Sequence, residues 1–407
     1  MKQNTRILLS SMMFFEYFIW GAWYVTLGTY MSEYLQSSGV QIGAAYGALA
    51  IATMISPFFV GIVADRYFAA QRIMGVLHLV GAVLLYVATS INDNSLFYWI
   101  ILLYSLLYMP TIALSNSIAF SRMTDPGKQF PWIRVFGTIG WIIAGLLIGY
   151  LGIEKTPYTF YLAGGASLFL GLLSFILPKT EPKGRSGNST ASDASGSRAF
   201  VLLKDKSYLT FFLAAVLICI PLAFYYGFAN LFLNEVGLSN PAAKMILGQV
   251  SEGIFILAIP FLFNRIGVKK MLLLGMLAWI LRYVFFSYGN AGDNTWMLYA
   301  GIILHGICYD FFFVTGYMYT ERKAGESIKN AAQGLFTFAT YGLGMFIGTY
   351  FSGFIADKYK TETTHDWHSI WMVPVYIALA VLLYFILFFK EQKAINAPEI
   401  TPSPLQQ

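Results

Sequence analysis

Long runs of apolar residues separated by short polar segments form the main pattern of this chain. Runs of about 18 apolar residues or more recur along its whole length, which is typical of membrane-spanning helices and not of β-barrel strands. Each run is near the ~20 residues that a helix needs to cross a bilayer core. We predict twelve spanning helices, at about residues 7–31, 42–64, 73–91, 96–121, 132–153, 158–178, 207–233, 243–263, 270–289, 294–320, 330–355 and 369–389.

One polar segment is longer than the others and divides the chain. It reads KTEPKGRSGNSTASDASGSRAFVLLKDK (179–206), is rich in Gly, Ser and charged residues, and lacks periodicity, so we predict a flexible linker. The pattern therefore predicts an all-α integral membrane protein with two pseudo-symmetric six-helix bundles. The bundles occupy residues 1–178 and 207–390, and a polar tail follows at 391–407.

Composition and charge support this class and set its orientation. Of the residues, 57% are hydrophobic and 11% are charged, whereas soluble proteins carry about 25% charged residues. If both termini are cytoplasmic, 20 of the 26 Lys and Arg residues fall in cytoplasmic segments. The exceptions are Arg134 and Arg282 inside spans, and Lys155, Lys244, Lys358 and Lys360 on the opposite side. The net charge of +6 is therefore a topology signal and does not indicate nucleic-acid binding.

Several common classes of site are absent from the sequence. Cys219 and Cys308 both lie in apolar runs, where they are interpreted as small packing residues. No HExxH or CxxC motif occurs, so we predict no metal and no cofactor. The opening stretch MKQNTRILLSSMMFFEYFIW is interpreted as an uncleaved first span, because its apolar run is too long for a signal peptide and contains Glu16.

Five fully charged side chains lie inside predicted spans: Glu16, Arg134, Glu252, Arg282 and Asp310. Each costs roughly 2.5–3.5 kcal/mol at a helix centre on insertion scales. Such residues should face the bundle interior, pair with one another and mark a pathway. A structural ion pair, or an end residue that reaches the membrane surface, is the alternative for each of them.

Spans five and eight carry the clearest polar faces. Arg134, Thr138 and Trp141 are spaced i, i+4, i+7, so they share one helix face that offers a guanidinium, a hydroxyl and a stacking ring. Gln249 and Glu252 are i, i+3 neighbours deep in apolar sequence. We predict that both faces bind a polar ligand, although Arg134 could instead reach the cytoplasmic surface.

Spans ten and seven add further candidates. In GICYDFFFVTG (306–316), Asp310 lies about midway along its span, and Tyr309 beside it is expected to line a cavity. His305 shares a face with Tyr309, where it lines the cavity or packs in the bundle. In span seven, Tyr226 and Asn230 are i, i+4 neighbours.

The first span places Glu16, Trp20 and Trp23 at i, i+4, i+7. An acid beside two indoles would suit a cavity wall, and packing of the tryptophans between helices is the alternative. For Arg282, in span nine, we favour a structural partner role.

A loop after span two resembles a known family motif. GIVADRYFAAQR (61–72) is similar to the G-x-x-x-D-R-x-G-R-[KR] loop of the major facilitator superfamily, although Phe68 replaces its glycine. FLFNRIGVKK (261–270) occupies the matching place in the second half. The resemblance implies that Asp65 and Arg66 form a cytoplasmic gate. A basic turn required by the positive-inside rule is the alternative.

Longer stretches resemble one family in particular, the bacterial nucleoside:proton symporters of the nucleoside permease NupG type. They are YMPTIALSNSIAFSR (108–122), FPWIRVFGTIGW (130–141), SEGIFILAIPF (251–261), AWILRYVFFSYG (278–289) and YDFFFVTG (309–316). The resemblance implies proton-coupled nucleoside import by alternating access, with substrate at the midplane between the bundles. The family residues carry over onto Arg134, Thr138, Gln249, Glu252 and Asp310.

The charged residues inside the spans also suggest which groups couple transport to protons. Arg134 would face Glu252 and Asp310 across the bundle interface, and the two acids would carry the proton. Burial disfavours the charged form of a carboxyl group and a nearby guanidinium favours it, so alternating access would load and release the proton.

The chain departs from the family at four positions. Ala223 and Tyr226 stand where the family places Gln and Asn, Trp141 replaces a Phe, and Glu16 replaces a Gln. The cavity is therefore expected to be more aromatic and more acidic, which leaves the substrate open. A modified nucleoside or a sugar derivative is the alternative cargo.

The resemblance and the residues together predict a non-enzymatic carrier. An enzyme or a receptor is disfavoured, because no nucleophile–base pair, metal set or phosphate loop is visible in the sequence. We expect a monomer in the bacterial inner membrane whose partners are a nucleoside, protons and the lipid bilayer.

Overall fold

The computed structural model describes residues 3–59, 69–180 and 197–390. The predicted gate residues Asp65 and Arg66 lie outside the described residues, as do 181–196 of the linker and the tail at 391–407. Before the linker the helices are α1 (Gln3–Trp23), α2 (Leu27–Glu33), α3 (Gly39–Phe59), α4 (Ala70–Ala88), α5 (Asn94–Phe120), α6 (Pro126–Leu151) and α7 (Tyr158–Ser174).

After the linker, a 3₁₀ helix (Ser197–Lys204) leads into the second set of helices. These are α8 (Lys206–Glu235), α9 (Pro241–Tyr288), α10 (Thr295–Ile303), α11 (His305–Tyr309), α12 (Thr315–Thr337), α13 (Met345–Lys358) and α14 (Trp367–Phe388). Two π-helical turns, Asp310–Val314 and Phe338–Gly344, connect helices in this half. In the described residues the only β-pairing is an isolated bridge between Lys360 and His365, so the all-α prediction is confirmed.

Two glycines kink helices α9 and α12 and divide each of them into two parts. Gly267 in α9 has φ 79° and Gly325 in α12 has φ 64°, a backbone region that side chains with a Cβ rarely adopt. Each kink falls between two predicted spans. Helix α9 therefore supplies both Pro241–Phe263 and Arg265–Tyr288 as candidate spans.

The described helices agree with the predicted spans in position. Among the residues that the structure describes, nine helical segments are long and apolar enough to cross a membrane. Helix α7 is a shorter apolar helix of 17 residues. The count of twelve crossings stays a prediction.

The two sets of helices meet along two seams. Helix α3 packs against α13, and α6 packs against the first part of α9. At one end of these seams the backbones approach closely: a Cβ at Gly149 would lie 2.6 Å from the backbone nitrogen of Ala243. We call this end, formed by residues 26–46, 145–154, 227–246 and 349–357, the closed end.

A buried carboxylate links the two sets of helices at the closed end. Glu154, which follows α6 and is 4% exposed, accepts hydrogen bonds from the side-chain amides of Asn230 and Asn234, each at 3.0 Å. It also accepts from the backbone N–H of Ala242 at 2.9 Å, in the first turn of α9. The N-terminus of a helix favours a negative charge, so this contact stabilises the seam.

A second carboxylate makes the same kind of contact on the other seam. Asp357, in the last turn of α13, accepts from the backbone N–H groups of Gly39 and Val40, at 2.5 and 2.8 Å. These residues begin α3. Glu154 and Asp357 thus each link the end of one helix to the N-terminus of a helix in the other set.

Glu16 lies outside the cavity wall on which the sequence analysis placed it. The side chain is fully buried; its carboxylate contacts His78 Nε2 at 3.0 Å and accepts from Thr111 Oγ1 at 2.6 Å. His78 in turn contacts Ser167 of α7, and the Tyr108 hydroxyl donates to the Glu16 carbonyl. Periodicity identified the inward face of α1 but could not identify these partners, so we assign Glu16 a structural role.

Replacing Glu16 with leucine should destabilise the folded protein. The change leaves His78 without its carboxylate partner, and an unsatisfied buried polar group costs about 1–3 kcal/mol. We expect a lower apparent unfolding temperature in detergent than for Glu33→Gln. Glu33 is the matched control because it makes only an exposed ion pair with Lys155, of a class that contributes about 0–1 kcal/mol. Equal unfolding temperatures for the two variants would contradict the structural role.

Candidate functional site

A cavity of about 820 Å³ lies between the two sets of helices. Both sets contribute to its wall. Its polar lining residues include Asn116, Arg134, Thr138, Gln249, Glu252, Gln333 and Thr337, and its aromatic ones are Tyr17, Trp20, Tyr24, Tyr46, Trp141, Tyr226, Tyr309, Tyr317 and Tyr341. The cavity extends from the closed end toward the opposite end, where Asn116 and Gln333 are partly exposed.

The predicted face of α6 does line the cavity. Arg134, Thr138 and Trp141 all lie in the wall. The guanidinium carbon of Arg134 stands 4.0 Å above the centroid of the Tyr17 ring, a cation–π contact. Gly137 makes room for it, because a Cβ there would lie 2.6 Å from Tyr17 and 2.7 Å from the Arg134 Nη1. Arg134 therefore lies against the cavity, as predicted, and is held by a ring from α1.

Aromatic rings form a continuous group that crosses the interface. The ring centroids of Trp20 and Trp141 are 5.6 Å apart, and those of Trp20 and Tyr24 are 5.7 Å apart. Tyr24 then contacts Tyr226 of α8 at 5.3 Å. Edge-to-face and tilted pairs at these distances are favourable, so the rings form a stable apolar wall with polar tips. Of the two tryptophans predicted on α1, Trp20 lines the cavity, whereas Trp23 packs against Tyr104 at 5.5 Å.

The second set of helices contributes an amide and a carboxylate to the cavity wall. Gln249 and Glu252 both lie in the wall, from the first part of α9. Glu252 Oε2 is 3.9 Å from His305 Nε2. The cavity thus brings a guanidinium from one half and a carboxylate from the other to opposite walls.

The π-helical turns shape the remaining wall. Tyr309, at the start of one turn, and Tyr341, inside the other, hydrogen-bond through their hydroxyl groups. Nearby, the Tyr317 hydroxyl and Thr337 Oγ1 are 2.8 Å apart. A π-helical turn inside an α-helix often marks a functional position, and here both turns lie beside the cavity.

Asp310 lies directly behind this wall. It is fully buried, and neither carboxylate oxygen has a hydrogen-bond partner among the residues that the structure describes. Its neighbour Tyr309 lines the cavity, but Asp310 is absent from the lining. The sequence analysis expected Asp310 in the substrate wall, whereas the structure places it one layer outside.

Asn230 is, with Glu16 and Asp310, the third predicted ligand residue that the cavity lining does not include. Its Oδ1 accepts from Thr29 at 2.5 Å, and its amide donates to Glu154, so it belongs to the closed end. Ala223, a departure from the family pattern, is fully buried in the contact between α8 and α13, against Gly348. Tyr226 is therefore the departure in span seven that alters the lining.

The sequence analysis missed several lining residues. Tyr17, Tyr24, Tyr46 and Asn116 were not singled out, although Asn116 is a polar residue inside an apolar span. The tyrosines give no such signal, because tyrosine is common both in bundle cores and near membrane surfaces.

Comparisons with known proteins extend over nearly the whole chain. Residues 1–394 match the family model described as nucleoside H⁺ symporter. The putative nucleoside transporter YegT of Escherichia coli (strain K12) is 42% identical over 403 residues, covering 95% of this chain and 94% of that protein. The xanthosine permease of the same strain is 36% identical over 397 residues, covering 94% of this chain and 95% of that protein.

A solved structure agrees with the fold. The crystal structure of nucleoside transporter NupG superposes with a TM-score of 0.89 at 31% identity, covering 96% of this chain and 100% of that one. The predicted major facilitator fold and the predicted family are confirmed, and the family comprises transporters and not enzymes. The chain therefore belongs to the nucleoside H⁺ symporter family of integral membrane transporters.

Proposed function

We propose that this protein imports nucleosides together with protons, and that the substrate binds in the cavity between the two sets of helices. The observation that carries the proposal is one cavity whose wall combines aromatic rings with a guanidinium, a carboxylate and amides. A nucleoside has a flat base for the rings and sugar hydroxyls and base edges for the polar groups. The family match and the names of the relatives support the same cargo.

The polar lining residues come from both sets of helices, so the two sets can contact different ends of a nucleoside. Arg134 and Thr138 of α6 face the cavity from one half, and Gln249 and Glu252 of α9 face it from the other. A ligand that contacts both walls would draw the two halves together, which is how binding energy drives a conformational change. Tyr226 adds a ring where the family pattern has an amide, so recognition of the base relies more on stacking in this chain.

We also propose an orientation in the bacterial inner membrane with both termini cytoplasmic. The closed end and the residues that directly follow its helices carry few basic residues, Lys155, Lys244, Lys358 and Lys360, whereas most of the other Lys and Arg residues are predicted at the opposite side. The closed end would then face outward and the cavity would reach toward the cytoplasm. This arrangement is one of the two states that alternating access requires.

The moving units and the gates complete the proposal. The bundles at residues 1–178 and 207–390 would rock against each other as single units within a monomer, joined by the linker at 179–206. Asp65 and Arg66 would close the cytoplasmic side in the alternate state. Glu154 and Asp357 would hold the outward side shut in the state described here.

Proton coupling is proposed for the two acids of the second half. Glu252 faces the ligand and Asp310 lies behind the wall, without a described partner. A carboxyl group can change protonation when a conformational change alters its access to water or to a cation. Asp310 would carry the proton, and Glu252 would link its charge to substrate binding.

Removing the charge of Asp310 should uncouple transport from the proton gradient. We expect Asp310→Asn to abolish nucleoside accumulation driven by an inward proton gradient in proteoliposomes, while counterflow without a gradient continues. Asp310→Glu, which keeps the acid, should retain part of the accumulation. Wild-type accumulation by Asp310→Asn would contradict the coupling role.

Removing either charged wall residue should weaken nucleoside binding. Hydrogen bonds to charged groups contribute about 1.5–3 kcal/mol, so Arg134→Ala and Glu252→Gln should each raise the Kd roughly 10-fold to 100-fold. The measurement is equilibrium binding of labelled uridine and adenosine in detergent, with a sugar included as a competitor. Lys128→Ala on the same helix is the matched control, because Lys128 is exposed near the start of α6. Unchanged affinity in both variants, or displacement by the sugar alone, would contradict the proposal.

Removing both seam carboxylates should open the closed end. In the open state Glu154 and Asp357 are exposed, and water replaces their hydrogen bonds. Removing the two carboxylates therefore destabilises only the closed state. Spin labels at Lys155→Cys and Lys360→Cys report the separation across this end, since Cys219 and Cys308 are buried. We expect Glu154→Ala with Asp357→Ala to populate longer label distances by double electron–electron resonance.

The control for this experiment is Asp366→Ala. Asp366 caps α14 at the same end by accepting from the backbone N–H of Ser369, within one helix. An unchanged distance distribution in the double variant, or an equal change in the control, would contradict a gate at the seams.

A further inference from the structure

A buried histidine connects the ligand wall to an arginine that lies away from the cavity. His305 Nδ1 is 2.9 Å from Arg282 Nη1, and His305 Nε2 is 3.9 Å from Glu252 Oε2. Arg282 and His305 are both fully buried, and neither lines the cavity. None of the ion pairs among the described residues includes Arg282, so this arginine makes its contact with an imidazole and not with a carboxylate.

Packing holds the arginine and the histidine in place. The guanidinium carbon of Arg282 stands 3.5 Å above the Tyr225 ring centroid, and the His305 ring stacks on the same tyrosine at 5.0 Å. Helix α11 also approaches α9 closely, since a Cβ at Gly306 would lie 2.5 Å from the Ser251 carbonyl carbon. These contacts bring His305 beside Glu252 without help from a ligand.

The chemistry of the guanidinium determines the state of the imidazole. A guanidinium has hydrogen-bond donors and no acceptor, so Nδ1 of His305 must accept from Arg282. The ring is then neutral, with its proton on Nε2, and this N–H is the donor nearest to Glu252. The imidazole ring of His305 therefore stands between Glu252 and the positive charge of Arg282.

We propose that Arg282 and His305 are positioning residues for Glu252: Arg282 fixes the tautomer of His305, and His305 orients the Glu252 carboxylate in the ligand wall with its Nε2–H. In this conformer the gap of 3.9 Å exceeds a hydrogen bond and His305 Nε2 has no described hydrogen-bond partner, so the carboxylate must rotate toward it to accept. Such contacts are often long before a ligand is bound. The proposal deepens the proposed function and rests on it where it concerns ligand binding.

Other groups also act on Glu252 and enter the design of the test. They are Arg134 from α6 across the cavity, Asp310 from the π-helical turn that follows α11, and the hydroxyls of Tyr225, Tyr226 and Tyr309. Arg134 and Asp310 are unchanged in every variant below. A change caused by Arg282 or His305 can therefore be separated from theirs.

The first measurement does not require a substrate. We would record ¹⁵N resonances of the imidazoles in the intact wild-type protein between pH 5 and 8, and assign His305 among the four histidines with His305→Gln. The expected result is a neutral ring with its proton on Nε2 throughout this range. A proton on Nδ1, or a doubly protonated ring at any of these pH values, would overturn the proposal.

The second measurement separates positioning from a general loss of structure. His305→Gln keeps an N–H donor in the side chain and His305→Leu does not, so His305→Leu should raise the nucleoside Kd about 10-fold and His305→Gln much less. Arg282→Met should make binding more dependent on pH between about pH 5 and 8 than it is in the wild type, because the guanidinium no longer holds the imidazole neutral. Combining it with His305→Gln should return the pH dependence to that of the wild type.

The control is His368→Gln, since His368 bonds Ser287 away from the cavity. Wild-type affinity in His305→Leu, or a pH dependence in Arg282→Met combined with His305→Gln that remains stronger than that of the wild type, would overturn the positioning role. If the wild-type protein binds no nucleoside, the proposed function fails, and the ¹⁵N measurement still decides the tautomer.

Discussion

The cost of a charge in a low-dielectric interior is the constraint on which this structure depends. An acid inside the bundle must find hydrogen-bond donors, face water in a cavity, or be neutral. Glu16 has His78 and Thr111, and Glu154 has two amides and a backbone N–H. Glu252 faces the cavity, and Asp310 has no described partner. The way in which each charge is satisfied therefore separates the structural acids from those available for transport.

The closed end follows from the same constraint. Glu154 and Asp357 each contact the N-terminus of a helix across a seam, where backbone N–H groups have no partner within their own helix. In the predicted two-bundle arrangement, the helices that carry these acids occupy equivalent places, as do the helices that receive them. Neither contact requires a basic residue. Since water can replace each hydrogen bond, the net contribution is about 0.5–1.5 kcal/mol per bond, which suits a contact that must break in every cycle.

The sequence predicted the helices better than it predicted their neighbours. Apolar run length predicted where the helices lie, and the kinks at Gly267 and Gly325 fall between predicted spans. On α6, spacing also identified the face that lines the cavity. Helical periodicity cannot say which helix lies opposite a face, and so Glu16 and Asn230 were placed in the ligand wall. Their partners His78 and Glu154 are distant in sequence and are identified only by packing.

The role of Arg282 also depends on neighbours that the sequence does not identify. The sequence analysis gave it a structural role because of the span in which it lies. A structural role would fit a buried arginine whose only partner is a carboxylate. Here its partner is an imidazole, which has a second nitrogen, and that nitrogen points toward the ligand wall. The cavity wall and the acid proposed to carry the proton are also only one residue position apart, since Tyr309 lines the cavity and Asp310 follows it in the sequence without reaching the lining. Substrate and proton can then be held by different groups of one helical turn, and a small change in that turn acts on both.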